Sequence, residues 1–172
     1  MKNVEVQLSI RGINKAIKEI EDYRKEIDRK TQELVIRLAN EGVQVANTAL
    51  MSTVGDSTEG TIGLKVDNRG DIISAVVYLS GKDALFIEFG AGIAYNTGAE
   101  HPLAAQFGYG PGTYPSKHPP NKGINPGRWV YGHDDDGKPL WSIGTQASMP
   151  IYKAAENARN TAIKTALEIF RS

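Results

Sequence analysis

The chain changes hydrophobic period several times along its length. Residues 3–10 alternate in steps of two, with Val4, Val6 and Leu8 on one face, and predict a short strand broken by Arg11-Gly12. From Ile13 the period becomes helical. Ile13, Ile17, Ile20, Ile27, Thr31, Leu34, Leu38, Val45 and Ala49 form one stripe at spacings of three, four or seven, which predicts a helix over 13–52, straight or bent once. Glu21/Lys25, Glu26/Lys30 and Glu33/Arg37 stand four apart with the acid first, an order that adds about 0.2–0.5 kcal/mol per pair to a helix. Gly42 costs about 1 kcal/mol against alanine inside such a helix and marks a bend or a close contact. The stripe broadens after residue 34, where Val35, Val43 and Ala46 join it. That half is expected to lie on a sheet, and the more charged first half to project or to pack on a neighbouring subunit.

A period of two returns at 61–79. Ile62, Leu64 and Val66 face one way, as do Ile73, Ala75, Val77 and Leu79, around the turn chemistry of Asn68-Arg69-Gly70-Asp71. Gly81-Lys82-Asp83 then introduces a short helical turn from Ala84 to Phe89. Residues 93–128 hold six of the chain's eight prolines and six of its eighteen glycines. Proline fixes φ and glycine frees it, so an irregular loop is expected there, removable over 96–126 without unfolding the rest. A second hairpin is expected over 128–143, with the acidic turn His133-Asp134-Asp135-Asp136-Gly137 at its tip. The last helix, 149–171, has Ser148 as its expected cap and Pro150 in the first turn. Its stripe is Ile151, Ala155, Ala158, Ala162, Ala166 and Ile169. The whole predicts one α+β domain: a small antiparallel sheet packed against a long N-terminal helix and a C-terminal helix, with a long irregular Gly/Pro-rich loop.

Composition narrows the functional classes. Twenty basic and twenty acidic residues cancel in 172, so no overall charge draws the chain to nucleic acid or to anionic membrane. No cysteine is present, which removes disulfides, thiolate metal sites and cysteine nucleophiles. The first residues lack the apolar core of an export signal, and no run reaches the eighteen apolar residues of a membrane span.

Candidate chemistry is sparse. In LFIEFGAG, residues 85–92, the glycines Gly90 and Gly92 suggest a dinucleotide loop. The third glycine of that fingerprint would fall on Tyr95, whose ring fills the space it must leave open. Asp134 and Asp136 begin an alternate-acid calcium pattern, but Lys138 and Thr145 stand where ligands should follow. A solvated turn accounts for these acids. His101, His118 and His133 lack helical ligand spacing, and His101 and His118 read as polar surface residues of the loop. Glu88, a lone acid in an apolar run, is a candidate general base if buried. The alternative is a role facing outward, or bonding to backbone or to an arginine across a subunit boundary. Tyr95, Phe107, Tyr109, Tyr114, Trp129 and Tyr131 form an aromatic set suited to stacking on sugars or single strands, or to anchoring a protein partner. The balanced charge favours the protein.

Placed in order, Glu88-Phe89-Gly90-Ala91-Gly92 and Gly144-Thr145-Gln146-Ala147-Ser148-Met149-Pro150 give the chain a family likeness. It resembles the neck or tail-completion proteins of long-tailed bacteriophages and prophages, also described as head–tail joining or minor tail components. In that pattern a long helix and a hairpin precede Glu-Phe-Gly-Thr-Gly, and Gly-x-x-Ala-x-Pro-Phe opens the last helix. Here Ala91 replaces the threonine and Ile151 the phenylalanine. The likeness spans roughly residues 10–172, with a longer intervening loop. It implies a virion structural protein without enzymatic activity or cofactor. Such a protein forms a ring, commonly hexameric, at the head–tail junction, between a head-completion or connector protein and a tail tube or terminator protein, and is assembled in the host cytoplasm. Glu88, Phe89, Gly90, Gly92, Gly144, Ala147 and Pro150 would then be architectural, and the aromatic set would serve docking. Two further expectations stand beside it. One is a cell-wall glycan hydrolase or carbohydrate-binding module using Glu88 and the aromatic loop. The other is a metal or small-ligand module using Asp134–Asp136 and the histidines.

Overall fold

The first helix begins earlier than its hydrophobic period suggests. In the computed structural model, which describes residues 9–53, 59–70, 72–92, 100–111 and 128–171, α1 runs without interruption over Ile10–Met51. Ser9 is its N-cap, and its hydroxyl accepts from the Gly12 N–H at 3.1 Å. Gly12 therefore sits in the first turn rather than ending a strand, because a serine cap satisfies an N–H that the helix cannot. The strand expected over 3–10 otherwise lies outside the described residues.

The hairpin forms as its alternation requires. Strands β1 (Thr61–Arg69) and β2 (Ile72–Ser80) pair antiparallel, with Ile62 opposite Leu79 and Leu64 opposite Val77. Ile73, Ala75, Val77 and Leu79 are the half-buried side of β2, and the residues between them are exposed. The hairpin packs on the second half of α1 and on the last helix, α3 (Pro150–Arg171). Small residues permit that approach. Gly42, Ala46 and Ala49 are buried on α1 and Ala154 on α3. A Cβ built on Gly42 would lie 3.5 Å from Val77 and 3.7 Å from Ala154. The glycine thus marks close contact in an unbroken helix.

Helices α1 and α3 run antiparallel: Gly42 meets Ala154, and Arg37, nearer the start of α1, bonds Glu168, nearer the end of α3, at 2.7 Å. The ion pairs differ from the expected set, and one of the changes is tertiary. Glu26–Lys30 forms at 3.4 Å, but Glu33 is taken by Arg29, and Arg37 turns to Glu41 and Glu168. The Glu168 bond is the first cause that raises the Arg37 pKa, followed by the bond to Glu41.

The expected stripe on α1 is half covered. Ile13, Ile17, Ile20 and Ile27 are exposed, whereas the helix from residue 38 onward is buried or half-buried on its inner face. On α3 the fully buried positions are Pro150, Ala154, Thr165 and Ile169. Ala155, expected inward, is exposed.

Beyond the hairpin come α2 (Ala84–Phe89), β3 (Ala91–Gly92), a 3-10 turn (Ala104–Phe107), β4 (Gly110–Pro111), β5 (Trp129–His133), β6 (Pro139–Ser142) and β7 (Gly144–Thr145). Strand β3 is central in a three-stranded sheet, parallel to β4 and antiparallel to β7. β5 and β6 make the second hairpin, with a bulge between Val130 and Gly132. The stretch 93–128 is therefore not all irregular. Residues 100–111 hold the 3-10 turn and a strand hydrogen-bonded into the sheet, and deleting 96–126 would remove both. The α+β class stands, with three small sheets among the described residues, one of them mixed, in place of one antiparallel sheet.

Candidate functional site

The two sequence motifs meet at a buried junction where α2, β3, β7 and the start of α3 converge. Its centre is Ile87, which is fully buried, followed by Glu88 at 7% exposure. Consecutive residues of a helix point 100° apart, so Ile87 and Glu88 face inward together while Phe86 and Phe89 flank them.

Glu88 does the work of a helix cap from 63 residues away. Its Oε2 accepts from the Ile151 N–H at 2.9 Å and its Oε1 from the Tyr152 N–H at 2.8 Å. These are first-turn N–H groups of α3, which no intrahelical carbonyl can satisfy, and a carboxylate there also complements the helix dipole. The helix needs this remote partner because Met149, whose carbonyl accepts the first intrahelical bond from Lys153 at 3.0 Å, carries no capping side chain. Met149 holds φ 55°, the one positive φ outside glycine among the described residues. Ser148, the expected cap, is turned elsewhere: its N–H donates to the Ile87 carbonyl at 3.0 Å, and its hydroxyl lies 2.9 Å from the Thr53 hydroxyl. The end of α1 is thereby tied to the start of α3.

His101 completes the junction. It was expected at the surface but is 5% exposed. Its Nδ1 accepts from the Leu103 N–H at 3.0 Å, and its Nε2 lies 3.3 Å from Glu88 Oε1. An imidazole that accepts at Nδ1 carries its proton on Nε2, so the N–H is the atom turned toward the carboxylate. The ring packs edge-on against Phe89 at 4.5 Å and Tyr152 at 5.1 Å. Burial first, then the Glu156 carboxylate, push the Tyr152 phenol above its ordinary pKa.

Gly90 ends α2 at φ 71°, with its N–H on the Phe86 carbonyl at 2.8 Å. Gly92 pairs with Gly144, whose φ is 93°. A Cβ on Gly144 would overlap the Ala91 carbonyl, so both the dihedral and the close strand contact require glycine. Ala147 and Pro150 are buried beside them. Glu88, Phe89, Gly90, Gly92, Gly144, Ala147 and Pro150 are thus drawn into one place.

The aromatic set is not one surface among the described residues. Tyr109 stacks on Phe89 at 5.6 Å and meets Phe86 at 5.7 Å, while Phe107 tilts against Phe89 at 5.1 Å and stays 59% exposed. Tyr95, Tyr114 and His118 lie outside the described residues, as do the side chains of Trp129 and Tyr131.

Chemically, this junction holds parts together. A general base needs an approach for substrate, and Glu88 is buried with both oxygens bonded to backbone. In the acidic turn Asp134 is used locally: its Oδ1 accepts from the N–H groups of Asp136 at 3.1 Å and Lys138 at 2.7 Å. No group of three His, Asp or Glu suited to a metal ion occurs among the described residues, and none of their helices is long and apolar enough to cross a membrane. A shallow groove between α1, β2 and α3, lined by Leu38, Ala39, Val77, Ile151 and Ala158, is almost wholly apolar and lacks the converging polar groups of a ligand site. The backbone bond between Glu88 and α3 had one legible signal, a single acid inside an apolar run. Its partner was not legible, because the acceptor and donors are far apart in sequence. The chain matches no family model, no curated protein and no solved structure.

Proposed function

We propose that this chain is a structural protein of a tailed phage or prophage virion, forming a ring at the head–tail junction, where it joins or completes the tail. The observation that carries the reading is the mutual satisfaction of the two motifs that prompted it. Glu88 of LFIEFGAG caps the helix opened by GTQASMP, and Ser148 of the second bonds the Ile87 carbonyl of the first. The Glu88 carboxylate of the first motif and the Ser148 hydroxyl of the second are spent on architecture, as a protein acting through shape requires. Its partners in this reading are further copies of itself, a head-completion or connector protein on one side and a tail tube or terminator protein on the other. A chain of zero formal net charge suits a lumen through which DNA passes without being held.

Removing the gene from its phage tests this directly. Electron micrographs should then show filled heads and separate tails, with joining restored when the protein is added back. Normal, infectious particles from the deletion would overturn the reading. The glycan-hydrolase alternative draws no support from Glu88, whose carboxylate is buried with both oxygens on backbone N–H groups.

A further inference from the structure

Two apolar stripes stand exposed among the described residues. The first is the start of α1, where Ile10, Ile13, Ile17, Ile20 and Ile27 are 37–81% exposed. Their steps of three, four and seven follow a 3.5-residue repeat, the period of a helix that packs side by side on another, with Arg24 at the position between Ile20 and Ile27. The second lies near the end of α3, where Ile163, Leu167 and Phe170 are 44–76% exposed. At 100° per residue these three point away from Thr165 and Ile169, the buried positions that face inward. The α1 of the same molecule therefore cannot cover them. We propose that a second copy of this chain covers them, laying the start of its α1 antiparallel across the outer stripe of α3.

Charge selects this pairing. Glu21 and Asp28, seven apart and exposed, flank one side of the α1 stripe, and Lys164 and Arg171, also seven apart and exposed, flank the same-handed side of the α3 stripe. Antiparallel helices bring same-handed flanks together, so Glu21 meets Arg171 and Asp28 meets Lys164, with Ile20 and Ile27 over Phe170 and Ile163. None of these four makes an ion pair within the described chain. The same charges argue against pairing two α1 stripes with each other. An antiparallel α1 pair sets Glu21 against Asp28, acid on acid. A parallel pair sets Ala16 and Tyr23 against those acids and gains nothing. A contact between unlike faces of identical subunits is heterologous, and repeating it closes a ring when the rotation permits. This rests on the assembly reading above only in that the protein self-associates.

Complementation between two surface variants tests it by light scattering. Ile20→Glu and Leu167→Glu should each abolish assembly while leaving circular dichroism unchanged. An equimolar mixture should recover dimers and nothing larger, because one intact stripe of each kind remains per pair. Reversing charge on one face (Glu21→Lys with Asp28→Lys) should weaken assembly at least tenfold, and adding Lys164→Glu with Arg171→Glu should restore it. A mixture that stays monomeric would overturn the proposal. So would full assembly of Leu167→Glu, which would assign the contact to α1 alone. Incorporation into particles, measured separately, keeps the virion reading distinct: wild-type found in virions with both single variants still assembling removes these surfaces and spares that reading.

Discussion

Glu88 shows how one side chain can decide whether an element exists. A first helical turn leaves N–H groups unpaired, and burying them without a partner costs about 1–3 kcal/mol each. Here the acceptor is a carboxylate at 2.8–2.9 Å from two of them, with the His101 Nε2 beside it. Glu88→Ala is expected to cost about 2–4 kcal/mol in chemical denaturation, since it orphans two backbone donors and an imidazole. Glu88→Gln keeps one acceptor and should cost about 1–2 kcal/mol, within the range of lost caps. Equal stability of wild type and Glu88→Gln would show that the charge and the second acceptor contribute nothing. At Gly144 the constraint is steric. With φ 93° and the Ala91 carbonyl where a Cβ would stand, Gly144→Ala should lose about 3 kcal/mol or more, read as a loss of soluble, cooperatively unfolding protein.

Among the elements, α1 carries two different environments in one unbroken helix of 42 residues. At 1.5 Å per residue it is about twice as long as α3, so α3 can cover only part of it. The buried part tolerates small residues because two surfaces approach it at once. Gly42 nevertheless has room for a methyl group, at ordinary contact distances of 3.5 and 3.7 Å. Gly42→Ala should therefore stabilise the protein by about 0.5–1 kcal/mol, a rise in Tm of about 1–4 °C for a chain of this size. An unchanged or lower Tm would mean that the helices must approach more closely than these distances indicate. At the other end, Ser9→Ala should cost about 1 kcal/mol locally. Its effect should appear as faster amide exchange in the first turns of α1, with the exchange of α3 unchanged.

For the whole molecule, the stretch between the two motifs is partly core. His101 and Tyr109 pack around Glu88 and Phe89, and Gly110 donates to the Gly90 carbonyl at 3.3 Å. Deleting 96–126 is expected to abolish cooperative unfolding, measured by denaturant titration of near-ultraviolet signal. A deletion that unfolds as the full chain does would return the stretch to the status of a dispensable loop. The start of α1 and the outer face of α3 place the self-association test at this scale too, because both stripes stand exposed among the described residues.

Sequence alone determined the elements whose evidence is periodic and local. The two main helices, the 61–79 hairpin with its inward set Ile73, Ala75, Val77 and Leu79, the short helix at 84–89 and the second hairpin all follow from which residues recur on one face. Each such signal is written within one element and is readable there. Only the tertiary structure decided that Glu88 caps α3, that His101 lies buried beside it, that β4 runs parallel to β3, and that Ile13, Ile17, Ile20 and Ile27 remain exposed. The physical reason is common to all four: a hydrogen bond or a covered surface needs two partners. Here the hydrogen-bonded partners are separated by up to 64 residues of chain, and the isoleucines stand exposed among the described residues.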